Sequence, residues 1–193
     1  MDVVTARVDF YFSFRSPYSY LAAPRAFALA DRYDVEVAFH GVIPMAMRGQ
    51  SVPMSKRLHT LRDVKRESQR LGMPFGRVHD PIGDGATRCL LVSEHAADAG
   101  RVREFVLAAS RGIWAEAIEV ASDDGLRVVC ERAGLDWATC RAALEDPAMR
   151  ARVDANTAAL AEHGHWGVPL FVLDGEQFWG QDRIEDVERA LST

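Results

Sequence analysis

This 193-residue sequence predicts an α/β fold carrying a large all-helical insertion, on three observations. Residues 1–45 read as strand, helix, strand. Residues 165–193 read as two short strands and a closing helix. Between them, from 46 to 164, strand-like alternation disappears and helical periodicity takes over. A composition that is 48% hydrophobic and 26% charged suits a chain that buries an ordinary globular core.

The elements justify themselves in order. "RVDFYFSF" (7–14) alternates Val8, Phe10, Phe12 and Phe14 on one face with Tyr11 adding bulk to the other, the pattern of a buried strand. Ser16 is a favourable N-cap and Pro17 fits the first helical position, where its missing N–H costs nothing. The helix they open is predicted to run to Tyr33, with a kink at Pro24. "VEVAFH" (35–40) returns as a strand, and connections this short predict a parallel crossover. The central block predicts helices over 54–71, 86–112, 122–133, 136–144 and 147–163, punctuated by Gly72, Gly83–Gly85, Gly134 and Pro147. "PLFVL" then reads as a buried strand, "DG" as a hairpin turn and "EQFWG" as its partner. "DRIEDVERAL" closes the chain as an amphipathic helix with Ile184, Val187 and Leu191 on one side. With the block removed, the order β-α-β-β-α is that of a thioredoxin fold. Residues 1–45 and 165–193 would form that domain and 46–164 the insertion.

Several classes are excluded or disfavoured. A net charge of −5, with arginines interleaved among Asp and Glu, gives no footprint for nucleic acid. No apolar run approaches the ~18 residues a membrane span needs. "MDVVTARVDF" lacks a basic segment followed by an apolar core, so no secretion signal is expected. Cys89, Cys130 and Cys140 are odd in number, with no C-x-x-C and no metal-ligand spacing. They read as reduced, small apolar residues of a cytoplasmic protein. His163-x-His165 lacks a third ligand, so no metal is expected, and "GDG" (83–85) lacks the lysine of a phosphate loop. Met45, Met47, Met54, Met73 and Trp114 read as core packing or as the apolar lining of a substrate cleft.

In a thioredoxin fold the end of the first strand and the start of the first helix form the working edge, because the helix terminus lowers the pKa of a thiol placed there. Here that turn is Ser16-Pro17-Tyr18-Ser19. Dithiol–disulfide exchange by the turn itself is excluded, since neither sulfur is present. Ser16 either caps the helix alone or also donates a hydrogen bond to a thiolate carried by a ligand. Val168–Pro169 either starts a strand in trans or, in cis, turns the Val168 backbone toward that helix to pair with an extended ligand. Asp182 is either an N-cap of the last helix or a partner for the ammonium of an α-amino acid.

"DFYFSFRSPYSYLA" together with "WGVPLFVLDGEQFWGQDRIEDVERAL" resembles the 2-hydroxychromene-2-carboxylate isomerases and kappa-class glutathione transferases, relatives of the periplasmic disulfide oxidoreductases. The resemblance implies glutathione as cofactor. Ser16 would contact its sulfur, Val168 and Pro169 its cysteinyl backbone, and Gln181 and Asp182 its γ-glutamyl end. It also implies a homodimer and an aromatic or otherwise electrophilic small-molecule substrate. The insertion follows the family less closely. "RGQSVPMSKRLHTLRD" has Gln50, a single Pro53, Lys56, and His59 where the family often has Tyr. Gln50 and Lys56 are candidates for the ligand site, with Lys56 meeting a carboxylate or serving as a surface lysine. His59 is a candidate acid or base.

Overall fold

The computed structural model describes residues 6–50, 53–165 and 167–192. The start of the chain, Ser51, Val52 and Trp166, all within segments quoted above, lie outside the described residues. Strand β1 (Ala6–Phe12) leads through a turn to helix α1 (Pro17–Phe27), the short α2 (Leu29–Arg32) and β2 (Val35–Gly41). The helical block follows: α3 (Met54–Arg70), α4 (Asp84–Asp98), α5 (Val102–Arg111), α6 (Asp123–Arg132), α7 (Trp137–Ala143) and α8 (Pro147–Glu162). The chain returns to the sheet with β3 (Leu170–Leu173) and β4 (Glu176–Trp179), and ends in α9 (Ile184–Leu191).

The sheet order is β2-β1-β3-β4. Strands β1 and β2 are parallel, with Phe10 opposite Phe39; β3 lies antiparallel to β1, with Phe171 opposite Phe10. The period-two pattern divides the core as the sequence implies. Val8, Phe10, Phe12, Phe171 and Leu173 join the large core with α1, α4, α5 and α9. Tyr11, Leu170 and Val172 face the other way and pack with Val42 and Leu160 of α8. Both faces of the sheet are therefore covered, and its buried strands read as nearly continuous apolar runs.

Helix starts follow their caps. Ser122, Asp136 and Asp146 accept from backbone N–H groups at the starts of α6, α7 and α8, and Pro147 occupies the first position of α8. Three spans differ from the sequence prediction. The helix expected to reach Tyr33 divides at Ala28, one turn beyond Pro24, which has no N–H for the Tyr20 carbonyl. The helix expected over 86–112 is two helices. Gly100, at a φ of +65°, ends α4 in a left-handed turn where Arg101 N–H bonds the Ala96 carbonyl at 2.7 Å. The last helix is preceded by a tighter 3₁₀ turn at Gln181–Arg183. The hairpin Asp174-Gly175 has positive φ at both residues, 49° and 83°, as a two-residue hairpin turn requires. Among the described residues, no helix is long and apolar enough to cross a membrane.

Candidate active site

The end of β1 delivers Ser16 through a turn closed by Ser16 N–H to the Ser13 carbonyl at 2.9 Å. Two contacts from the helical block hold this turn. Trp114 Nε1 donates to the Phe14 carbonyl at 3.1 Å, and Arg15 forms a two-point pair with Asp80 at 2.7 and 2.9 Å. The second contact keeps the Asp80 carboxyl below the usual range although burial opposes it.

Ser16 Oγ accepts from Ser19 N–H at 3.1 Å, capping α1, and donates to the Val168 carbonyl at 3.2 Å. The hydroxyl thus joins the helix N-terminus to the Val168–Pro169 peptide, which is cis. Of the two Val168 groups a ligand strand was expected to meet, the carbonyl is engaged by Ser16. The Pro169 carbonyl accepts from Gly180 N–H at 3.0 Å, so the cis-proline loop is tied to the Gly180–Asp182 turn. Gly180 has a φ of 127°, and a Cβ there would lie 2.5 Å from Asp182 Oδ1. Only glycine lets the Asp182 carboxylate occupy its position. Among the described residues Asp182 makes no capping bond; its carboxylate pairs with the exposed Arg183 at 3.0 Å.

Beside this loop lies a cleft of about 600 Å³. Its thioredoxin-side wall is Tyr18, Val168, Pro169, Trp179 and the Gly180–Asp182 turn; its other wall is Asp63, Glu67 and Arg70 of α3. The three α3 residues are spaced to share one helical face. Two bonds cross between the walls: Tyr18 OH donates to Asp63 Oδ2 at 2.7 Å, and Gln181 Nε2 donates to Glu67 Oε2 at 3.0 Å. Burial, and then the Asp63 carboxylate, push the Tyr18 phenol well above its ordinary range, so it remains a hydrogen-bond donor. Bonds from Tyr18 and Arg66 hold Asp63 low. Gln181, only 5% exposed, also accepts from Arg25 of α1.

The candidate residues are therefore distributed unevenly. Val168, Pro169, Gln181 and Asp182 line the cleft, and Ser16 adjoins it through Val168. Lys56 and His59 are exposed on α3, N-terminal to Asp63, and are not among the residues lining the cleft. Gln50 follows a short 3₁₀ turn (Met45–Arg48), and its buried Oε1 has no hydrogen-bond partner among the described residues. Sequence reasoning missed Tyr18, Asp63, Glu67, Arg70 and Arg25. The available signals were the i, i+4, i+7 spacing of the α3 charges and an arginine within the alanine-rich α1.

The cysteines lie elsewhere, buried in α4, α6 and α7. Burial pushes the Cys89 thiol far up, and contact with Cys140 together with burial does the same to Cys130. Such thiols pack as small apolar groups.

Fold and site together define a thioredoxin-fold protein whose helix terminus and cis-proline are intact and whose redox cysteines are replaced by hydroxyls. The chain belongs to the DsbA-like thioredoxin domain family, whose model matches residues 7–192. It is 28% identical to a 2-hydroxychromene-2-carboxylate isomerase of Pseudomonas putida, over 95% of this chain and 93% of that one. It is 26% identical to another of that name from Sphingobium xenophagum, over 97% and 99%. A solved 2-hydroxychromene-2-carboxylate isomerase structure superimposes with a TM-score of 0.82 at 28% identity, covering 96% and 94% of the two chains.

Proposed function

We propose that this protein is a glutathione-dependent isomerase of the 2-hydroxychromene-2-carboxylate type, acting on a conjugated aromatic 2-oxo acid in aromatic catabolism. The observation that carries the reading is the Ser16 hydroxyl, set at the N-terminus of α1 and turned to the cis Val168–Pro169 peptide. The names of the relatives that align over nearly the whole chain support the reaction type.

The residues present suit the thiol and the ammonium of glutathione. The carboxylates that line the cleft, Asp63, Glu67 and Asp182, are each paired with an arginine, Arg66, Arg70 and Arg183, at 3.0, 2.7 and 3.0 Å. Asp182 is the most exposed of the three, held by a neighbouring surface arginine, and is the carboxylate best placed to exchange its partner for a ligand ammonium. When bound, glutathione would supply a thiolate that adds reversibly to the conjugated substrate and leaves again after the bond has rotated or the ring has opened. Ser16 would redirect its proton from the Val168 carbonyl to that sulfur, and the α1 terminus would stabilise the same negative charge. The freed Val168 carbonyl and its N–H would pair with the cysteinyl backbone. Asp182 would hold the ammonium at the far end. Ser16 would stabilise the thiolate both before addition and after release, and since the C–S bond formed is broken again the thiol is not consumed.

Calorimetric titration of glutathione into wild type, Ser16→Ala and Asp182→Ala tests the reading. Asp182→Ala should weaken binding about tenfold, the scale of one charge-assisted hydrogen bond. Ser16→Ala should raise the pKa of the bound thiol and slow isomerisation of 2-hydroxychromene-2-carboxylate by about 10²-fold. The absence of binding to wild type would overturn it. Net consumption of glutathione with an aryl halide would replace the isomerase with a transferase.

A further inference from the structure

Arg25 is the one charged side chain of α1, a helix otherwise made of proline, hydroxyl, aromatic and aliphatic residues. Its guanidinium lies behind the turn that forms the cleft wall. Arg25 Nη2 donates to the Gln181 carbonyl at 2.8 Å and, with a very short contact, to Gln181 Oε1. One donor group thereby fixes both the backbone and the side chain of the residue preceding Asp182. With its Oε1 taken, the Gln181 amide is oriented so that Nε2 points across the cleft and donates to Glu67 Oε2 at 3.0 Å. The same Glu67 oxygen receives Arg70 at 2.7 Å. A continuous chain thus runs from α1 through the Gly180–Asp182 turn to α3: Arg25, Gln181, Glu67, Arg70.

The Arg25 site is costly to build. Arg25 Nε is buried with no hydrogen-bond partner among the described residues, and burial lowers the guanidinium pKa. The carboxylates of Glu185, Glu67 and Glu188 compensate at longer range, while Arg70 opposes. Capping α1 does not require this arrangement, because the Ala28 N–H already closes the helix end onto the Pro24 carbonyl at 3.2 Å. What the half-buried guanidinium accomplishes is orientation of Gln181.

We propose that Arg25 is a positioning residue of the thiol cleft, holding Gln181 and through it Glu67, so that both walls keep a fixed spacing around the γ-glutamyl end of glutathione. This inference rests on the glutathione reading above. Arg25 touches no ligand in this scheme; it acts through Gln181.

The test is the glutathione dissociation constant of wild type, Arg25→Met, Arg25→Lys, Gln181→Met and the Arg25→Met/Gln181→Met double variant. The pKa of the bound thiol is read alongside by thiolate absorbance, and thermal melts establish that each variant is folded. Arg25→Met should weaken binding about tenfold, while the thiol pKa stays at its wild-type value because Ser16 sits at the other end of the ligand. Arg25→Lys, with one ammonium in place of the fork, should fall between the two. The double variant should bind no more weakly than Gln181→Met alone, since both changes break the same chain. A folded Arg25→Met that binds within twofold of wild type would overturn the proposal, as would additive effects in the double variant. Should Arg25→Met not fold, wild-type affinity in Arg25→Lys overturns it instead, and weakened affinity supports it. If wild type itself does not bind glutathione, the functional reading fails and the proposal with it. Binding to wild type with no response to Arg25 substitutions would sink the proposal alone.

Discussion

Tyr18 shows how one side chain can serve both as a wall of the cleft and as a tie across it. Its phenol reaches from the first turn of α1 to Asp63 on α3 at 2.7 Å, joining the sheet-side wall to the helical block. Tyr18→Phe keeps the ring and removes the bond, so unfolding in urea should show a loss of about 1 kcal/mol at neutral pH. The loss should depend on pH in a defined sense. Asp63 is held below its ordinary pKa by Tyr18 and then Arg66, so its contribution is present above the unfolded carboxyl pKa of about 4 and fades as pH falls through the lower folded value. Tyr18 is raised, so its contribution is present below about pH 10 and fades as pH rises toward the folded value. The difference between wild type and Tyr18→Phe should therefore be greatest between these limits. A difference independent of pH from 3 to 11 would remove the Asp63 bond from the account.

At the scale of elements, the Gly180 turn is where backbone conformation and ligand chemistry meet. Gly180→Ala forces a side chain into a φ of 127° and 2.5 Å from Asp182 Oδ1. A cost of about 1–3 kcal/mol is expected, together with a displaced Asp182. Measured side by side, stability and glutathione affinity should both fall, whereas Asp182→Ala should lower affinity with little change in stability. Retained affinity in Gly180→Ala would show that the Asp182 position is not set by this turn. The element is legible in sequence only in part. Ser16-Pro17 announces α1, and Val168-Pro169 with Gly180-Gln181-Asp182 marks the opposing loops, because caps and prolines act through adjacent residues. Which atoms of Gln181 are free was not legible. Arg25 is 156 residues away in sequence, and no local pattern reports such a contact.

The whole molecule rests on the two-sided sheet. Phe10 and Phe171, both fully buried, stack across β1 and β3 with ring centroids 4.9 Å apart and planes 4° from parallel. Phe12, Phe27 and Phe39 meet Phe10 edge-on. Phe171→Ala would open a cavity at this centre, and chemical denaturation should show a loss of about 3–5 kcal/mol. A loss under about 1 kcal/mol would mean that the aromatic cluster collapses around the gap. Because β3 carries this residue two positions after Pro169, such a variant should also loosen the cleft.

By itself the sequence determined the kind of protein this is. Alternation with period two in "RVDFYFSF", the short apolar run "PLFVL", helical periodicity between them and the Ser16-Pro17 helix start are near-neighbour properties, and they suffice for a thioredoxin core interrupted by helices. The hydroxyls at 16 and 19 likewise excluded disulfide chemistry at the turn without any coordinates. Only the tertiary structure decided the composition of the cleft. Asp63, Glu67 and Arg70 come from a helix outside the thioredoxin core, and Tyr18 and Gln181 bind them across the gap. Those pairings depend on how the insertion packs on the sheet, and packing is set by the burial of many distant apolar residues together rather than by any local stretch of chain.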